Sequence, residues 1–335
     1  MAPYKGTGGR NIGKLIKSYL NRNIGQTLNS SVTAVVTGGT TYEPGNGYKY
    51  HVFLTSTPTP EKNLTVSGEP SGLTAASVLI VAGGGGAGGG YYSGGGGAGG
   101  VLYASNVAIP VGPYTITVGS GGAGGPNNST AATEGGNSSF GAITAIGGGR
   151  GGGGPTSPND NVAATAGGSN GGGSYYVGPG SPFPTTPQPA PNDYTAYGNT
   201  NDWSPGEGTG GGGAGEKGGP EATGPDSPDR QKGGAGIPIT GFEYPLIGLS
   251  PLTPHSPTNN HYAGGGSGWG YSAGAQGPDG ARGGYGGGGA GASYPRGTDA
   301  TPGVNHIGGG GAGDYPTDPG GTDGGSGIVI VRYQV

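Results

Sequence analysis

The sequence predicts a mainly β protein in three parts: a short N-terminal helix, a jelly-roll-like β-sandwich, and a bundle of polyglycine II rods with long Pro-rich loops. Three observations lead there. Glycine supplies 90 and proline 30 of the 335 residues while charged residues make up only 10%, which is too little charge for the disordered class, whose strand formers are not clustered as they are here. Seven strand-like runs crowd between about residues 32 and 146, and one more, GIVIVRYQV, ends the chain. Several of these runs break straight into glycine with no turn residue between, as VLIVAGGGGAGGG does from Val78.

Residues 1–29 read as an attachment or oligomerisation segment. Ile12, Leu15, Ile16, Tyr19 and Leu20 recur at the spacing of one apolar helix face, with Lys14, Lys17 and Arg22 largely elsewhere on the wheel and Gly25 as a stop. A helix over 11–24 is too short to stand alone in water, so its stripe packs on the chain's own β body or on another protein. Five of the fourteen basic residues lie in the first 22 positions and no acid precedes Glu43. Without interleaved aromatics these charges fit a solvated face or an acidic partner better than nucleic acid.

Residues 30–146 supply the sandwich: SVTAVVT, GYKYHVFLTS, KNLTVSG, ASVLIVA, GVLYASNVAI, GPYTITVG and SFGAITAIG. Several alternate with the period of half-buried strands, punctuated by Gly, Pro, Asn and Ser. The strand at 327–333 returns to this body. Residues 147–326 hold almost no strand or helix signal, only glycine blocks and two long inserts. Glycine is never spaced at every third place with proline between, so collagen is excluded. Polyglycine chains can instead take an extended threefold form without internal hydrogen bonds. Packed side by side, such rods satisfy one another's N–H and C=O groups.

Glycine after a buried strand also begins many nucleotide sites, but those need a helix to open inside the glycines. Here the continuation is YYSGGGGAGGVLY, and TITVGSGGAGG and ITAIGGGRGGGG repeat the same layout. A pattern used three times is architectural. VLIVAGGGGAGG, GPYTITVGSGGAGG, NSSFGAITAIGGGRGGGG and GGSGIVIVRY together resemble the glycine-rich domain of phage virion proteins, particularly tail-fibre proteins of marine phages including cyanophages. The layout is also similar to the glycine-rich domain of the anaplastic lymphoma kinase receptor and to tail-fibre-tip adhesins of enterobacterial phages. The resemblance covers about 48–335 and implies a jelly roll supporting a rod bundle, a place on the virion, and loops that recognise a host.

Chemistry is sparse. Cysteine is absent, which removes disulfides, thiolate nucleophiles and cysteine metal sites. His51, His255, His261 and His306 are scattered, and the carboxylates sit in turn-like stretches such as DSPDR. No catalytic set, metal site or cofactor is expected, and neither an export signal nor a membrane-inserting segment. What remains is aromatic. Inserts 175–206 and 237–271 combine proline stiffness with Tyr, Trp, Asn and Ser, a mixture suited to binding loops and equally to covering the flank of a bundle that has few side chains. The candidate receptor contacts are Phe183, Tyr194, Tyr197, Trp203, Tyr262, Trp269 and Tyr271, with Asn199, Asn201, Asn259 and Asn260 beside them and Leu246, Ile247 and Leu249 packing inward. The candidate docking helix presents Ile12, Leu15, Ile16, Tyr19 and Leu20. The expected partners are other virion proteins through that helix, a host surface glycan or outer-membrane protein, and further copies of the chain as a homotrimer. The expected function is a non-enzymatic fibre or adhesin, or else a purely structural virion component.

Overall fold

A computed structural model describes residues 34–55, 62–68, 72–90, 92–127, 130–154, 162–174, 188–191, 193–201, 208–219, 231–251, 259–269, 282–292, 299–314 and 320–335. The expected helix over 11–24 lies outside them. Thirteen strands are present among the described residues: β1 Val35–Thr37, β2 Thr40–Tyr42, β3 Tyr48–Phe53, β4 Asn63–Ser67, β5 Leu73–Val81, β6 Val101–Ile109, β7 Gly112–Thr117, β8 Ser138–Phe140, β9 Ile143–Ala145, β10 Thr195–Tyr197, β11 Ile237–Pro238, β12 His261–Tyr262 and β13 Ile328–Gln334. One sheet has the order β1-β4-β7-β8-β9, a second β10-β6-β5-β13-β3-β2, and β11 pairs with β12 alone. All of these pairings are antiparallel.

The two large sheets face each other across one core. Leu64, Val66, Ile116 and Phe140 from the five-stranded sheet meet Phe53, Val78, Ile80, Leu102, Val329 and Val331 from the six-stranded one. The alternation in NLTVS follows directly, with Leu64 and Val66 inward and Asn63, Thr65 and Ser67 in solvent. All four outer edges of these sheets, β1, β9, β10 and β2, are only three residues long, which leaves little open edge for another chain to pair with.

The six-stranded sheet is buried on its other face as well. Tyr50, Val52, Leu79, Val81, Ile328 and Ile330 pack there against Ile239, Phe242, Tyr244, Ile247 and Tyr262. This third layer runs through β11, a 3-10 turn at Tyr244–Ile247 that Gly248 ends in the left-handed region, and β12. Burial on both faces is why VLIV and IVIV are unbroken apolar runs. Arg332 fastens the layer: its guanidinium lies 4.6 Å from the Tyr48 ring centre and 4.8 Å from that of Phe242, and Nη1 donates to the Gly241 carbonyl at 2.9 Å. Residues 237–251 are thus largely a cover for the sheet, and β10 from the other insert is one of its edge strands.

The glycine segments form rods, and their hydrogen bonds have a three-residue period. Gly83, Gly84 and Gly85 donate to Gly136, Gly325 and Gly97, and Gly86, Ala87 and Gly88 then donate to Thr133, Thr322 and Gly94 on the same three neighbours. Carbonyls of this segment accept from Gly148, Gly151 and Gly154, from Gly122 and Gly125, and from Gly311. Segment 82–90 therefore has six neighbours, three that it donates to and three that it accepts from. Segment 94–100 is surrounded in the same way, donating to 146–152, 209–212 and 308–311 and accepting from 82–88, 169–172 and 266. The rods come from 82–100 and 119–136 as well as from beyond residue 146, so sandwich and bundle interleave along the chain and the boundary expected at 146 does not separate them.

Two tests follow from this packing. A Cβ on Gly84 would fall on the carbonyl of Gly309. Gly84→Ala is expected to destabilise the protein by about 1–3 kcal/mol or more in urea titrations, whereas Ala98→Gly, at a rod position that already holds a Cβ, is expected to change it by about 1 kcal/mol or less. The second concerns pH. His51 is buried, with Nδ1 2.7 Å from the Gly38 carbonyl, so that nitrogen carries the proton and donates. Burial holds His51 below the ordinary histidine range, and His261 and His306 are lowered for the same reason. The unfolded chain then binds protons more readily than the folded one. Stability is full above about pH 6.5 and falls as the pH drops below it. Melting temperatures recorded between pH 7.5 and 5 should decline, and His51→Gln should make the decline shallower.

Candidate functional site

The rods begin at the sandwich and end together at the end of the bundle away from it. Strands and rods are continuous: β5, β7, β9 and β12 run on into rods, and β6, β8, β11 and β13 emerge from them. The Ala82 N–H donates to Gly100 at 3.0 Å, continuing the register of Val81 with Val101. At the opposite end, Gly90 bridges to Gly154. There Trp269 N–H donates to Ser93, Thr209 to Gly173, Gly268 to Gln231, Gly313 to Ser267 and Gly321 to Gly125, all at 2.8–3.0 Å. These contacts put the rod ends at one level. The connections Gly154 to Val162, Asn201 to Gly208, Gly219 to Gln231, Trp269 to Arg282, Ala292 to Asp299 and Asp314 to Gly320 all leave from this end of the bundle and return to it.

Small polar side chains appear among the glycines there. Ser93, Ser174, Thr209, Gln231 and Ser267 are all fully buried. Thr209 Oγ1 accepts the Gly173 N–H at 2.8 Å and the Asn201 side-chain amide at 3.2 Å. Thr209 thus closes hydrogen bonds near the level where the rods stop supplying them, whereas the buried Ser93 Oγ and Ser267 Oγ have no hydrogen-bond partner among the described residues.

The predicted contacts do not form one constellation. Phe183, Trp203 and Tyr271 lie outside the described residues, as do Ile12, Leu15, Ile16, Tyr19 and Leu20. Tyr194 and Tyr197 flank or end β10 and pack half-buried against opposite faces of the six-stranded sheet. Burial pushes the Tyr194 hydroxyl up to about 12. Two expectations are corrected. Tyr262 is completely buried in the third layer, its hydroxyl donating to the Phe242 carbonyl at 2.6 Å. Trp269 is completely buried at the far end of the bundle, its ring 5.8 Å from that of Tyr92. Neither presents a face to a ligand, because both side chains are fully enclosed by the rest of the protein. Asn199 is structural too, donating to the carbonyls of Gly213 and Ala214 at 3.0 Å.

Tyr92 was missed. It sits in the link between the two central rods, and the paired tyrosines of YYSGGGG were the signal that could have drawn attention to it. Tyr285 was missed as well; it is exposed on the bundle flank with its ring 6.1 Å from His261.

Catalytic geometry is not assembled among the described residues. Ser326 Oγ lies 3.4 Å from His306 Nδ1, but no carboxylate among the described residues orients that imidazole and the serine is buried. A groove of about 280 Å³ beside it is lined by Tyr244, Leu249, Ser250, Val304, Asn305 and His306. No group of three metal-ligating side chains occurs among the described residues.

A family model described as a glycine-rich domain matches residues 59–334. The chain belongs to the glycine-rich domain family. The match runs from just before β4 to the last residue of β13, so this glycine-rich domain includes most of the sandwich along with the rods. No curated protein is a significant match to the chain.

The far end of the glycine-rich domain depends on Trp269 for its packing. Trp269→Ala is expected to lower stability by about 3–5 kcal/mol, seen as an early thermal transition.

Proposed function

We propose that this glycine-rich domain protein is a phage virion fibre or adhesin, in which a jelly-roll-like body and a rigid polyglycine II bundle hold host-recognition loops at one end. The observation that carries the reading is the common level of the rod ends, with six inter-rod connections leaving from and returning to the end away from the sandwich. Rods joined to six neighbours by backbone hydrogen bonds are stiff and present little chemistry of their own. Specificity belongs to whatever interrupts them. The N-terminal segment serves attachment: the chain enters the described body at Ala34, and Val35 pairs with Ser67 at the end of β4 remote from the bundle. A homotrimer on the virion, binding a host surface glycan or outer-membrane protein, fits this two-ended arrangement. Cofactor chemistry and catalysis have no part in it.

A second reading is favoured by one observation. Tyr262 and Trp269 are buried and Tyr194 and Tyr197 are packed on the sheet, as expected of a purely structural virion protein whose aromatics serve folding.

Adsorption separates the two. Purified protein should bind host cells and compete with phage adsorption. Trp203→Ala and Tyr271→Ala should each weaken that binding on the order of tenfold, about 1.4 kcal/mol, with melting temperature unchanged. Undiminished binding by both variants, or no binding by the parent protein, favours the structural reading.

A further inference from the structure

Of the four faces of the two large sheets, three are covered. Two form the core between the sheets, and the back of the six-stranded sheet carries the third layer. The outer face of the five-stranded sheet is open. Val35, Thr37, Thr65, Thr115 and Thr117 point outward there and are exposed, and none of the outward side chains on its described strands carries a charge. At the end remote from the bundle this face becomes apolar. Val35 pairs with Ser67, and Val66 with Gly112, so the next step of the register sets Val111 across from Ser67. Val35, 55% exposed on β1, and Val111, 48% exposed in the bend just before β7, therefore fall in one row on either side of Ser67 when the register is extended one residue past β7.

We propose that this row is covered by the apolar stripe Ile12, Leu15, Ile16, Tyr19 and Leu20 of the same chain. The dimensions agree. Ile12 to Leu20 along a helix is about 12 Å, and two strand spacings from Val35 to Val111 are about 10 Å. The chain joins the sheet at Ala34, next to the row, and the fourteen steps from Leu20 to Ala34 can span up to about 46 Å. A second copy docking through this face alone would bury too little. Five strands about 4.8 Å apart, three of them only three residues long, offer roughly 300 Å² per copy, or about 600 Å² in all, against about 1,200 Å² or more in stable interfaces. A tethered segment needs no such area, because the connection already supplies a high effective concentration. Lys14, Lys17 and Arg22 then remain outside the contact, so attachment to another virion protein would fall to these charges and not to the apolar stripe. The assignment holds whether the far end of the bundle binds a receptor or is purely architectural.

The chain has no cysteine, so introduced pairs report without background. In the full-length protein, Ile16→Cys with Ser67→Cys should form an intramolecular disulfide under mild oxidation, at a rate independent of protein concentration. That rate should exceed that of the control pair Lys17→Cys with Ser67→Cys at least tenfold. Adding Leu15→Asp to the first pair should bring it down to the control rate. Both cysteines replace residues outside the described cores, and a circular dichroism melt verifies that each variant is folded. Equal rates for the two pairs, no cross-link, or a disulfide-linked dimer in place of the intramolecular bond would overturn the proposal.

Discussion

Backbone hydrogen bonding between rods is the interaction on which the rest of this protein depends. An extended glycine segment buries no apolar side chain and closes no hydrogen bond within itself, so alone it has nothing to offset its conformational entropy. Surrounded by six neighbours, segment 82–90 finds partners for successive N–H and C=O groups. The closeness this requires is what excludes side chains: a Cβ on Gly88 would fall on the Gly152 carbonyl. Alanine, serine and threonine occur in the rods, Ala87 and Ala98 among them, only where the packing leaves room.

Such a bundle cannot start itself, because each rod is stable only when its neighbours are already in place. The sheets solve the problem of registration. A hydrogen bond between rods has the length of one between strands, so a strand can run on as a rod without a change of spacing, as β5 and β6 do at Ala82 and Gly100. The six-stranded sheet, from which β5, β6 and β13 join rods, is buried on both faces. Its central strands are held by the core between the sheets on one side and by Phe242, Tyr244 and Tyr262 on the other, with Arg332 between Tyr48 and Phe242 tying the cover to β13.

This construction yields a two-ended molecule. The chain enters at the sandwich end, and the rods stop together at the other. A bundle held by backbone hydrogen bonds tolerates changes in the segments between its rods, because those segments contribute little to what holds the rods together. Variable connections on an invariant support suit a surface that must change its partner, and they suit equally a spacer that needs no partner.

The sequence by itself determined the materials. Alternation in NLTVS marked a half-exposed strand, unbroken VLIV and IVIV marked buried ones, and glycine blocks without helix formers marked rods. Each of these signals is local, arising from a period or from the absence of a side chain. The three-residue hydrogen-bond period and the mixing of rods from both sides of residue 146 needed the fold, since a glycine run carries no indication of which six neighbours it will have. The aromatics show the limit most clearly. Tyr and Trp among Pro, Asn and Gly have the same composition whether they face a ligand or fill a gap beside glycine, and only long-range contacts put Tyr262 against Phe242 and Trp269 against Tyr92. Burial is a property of what packs around a side chain, and in a chain that is so largely glycine those neighbours come from anywhere along its length.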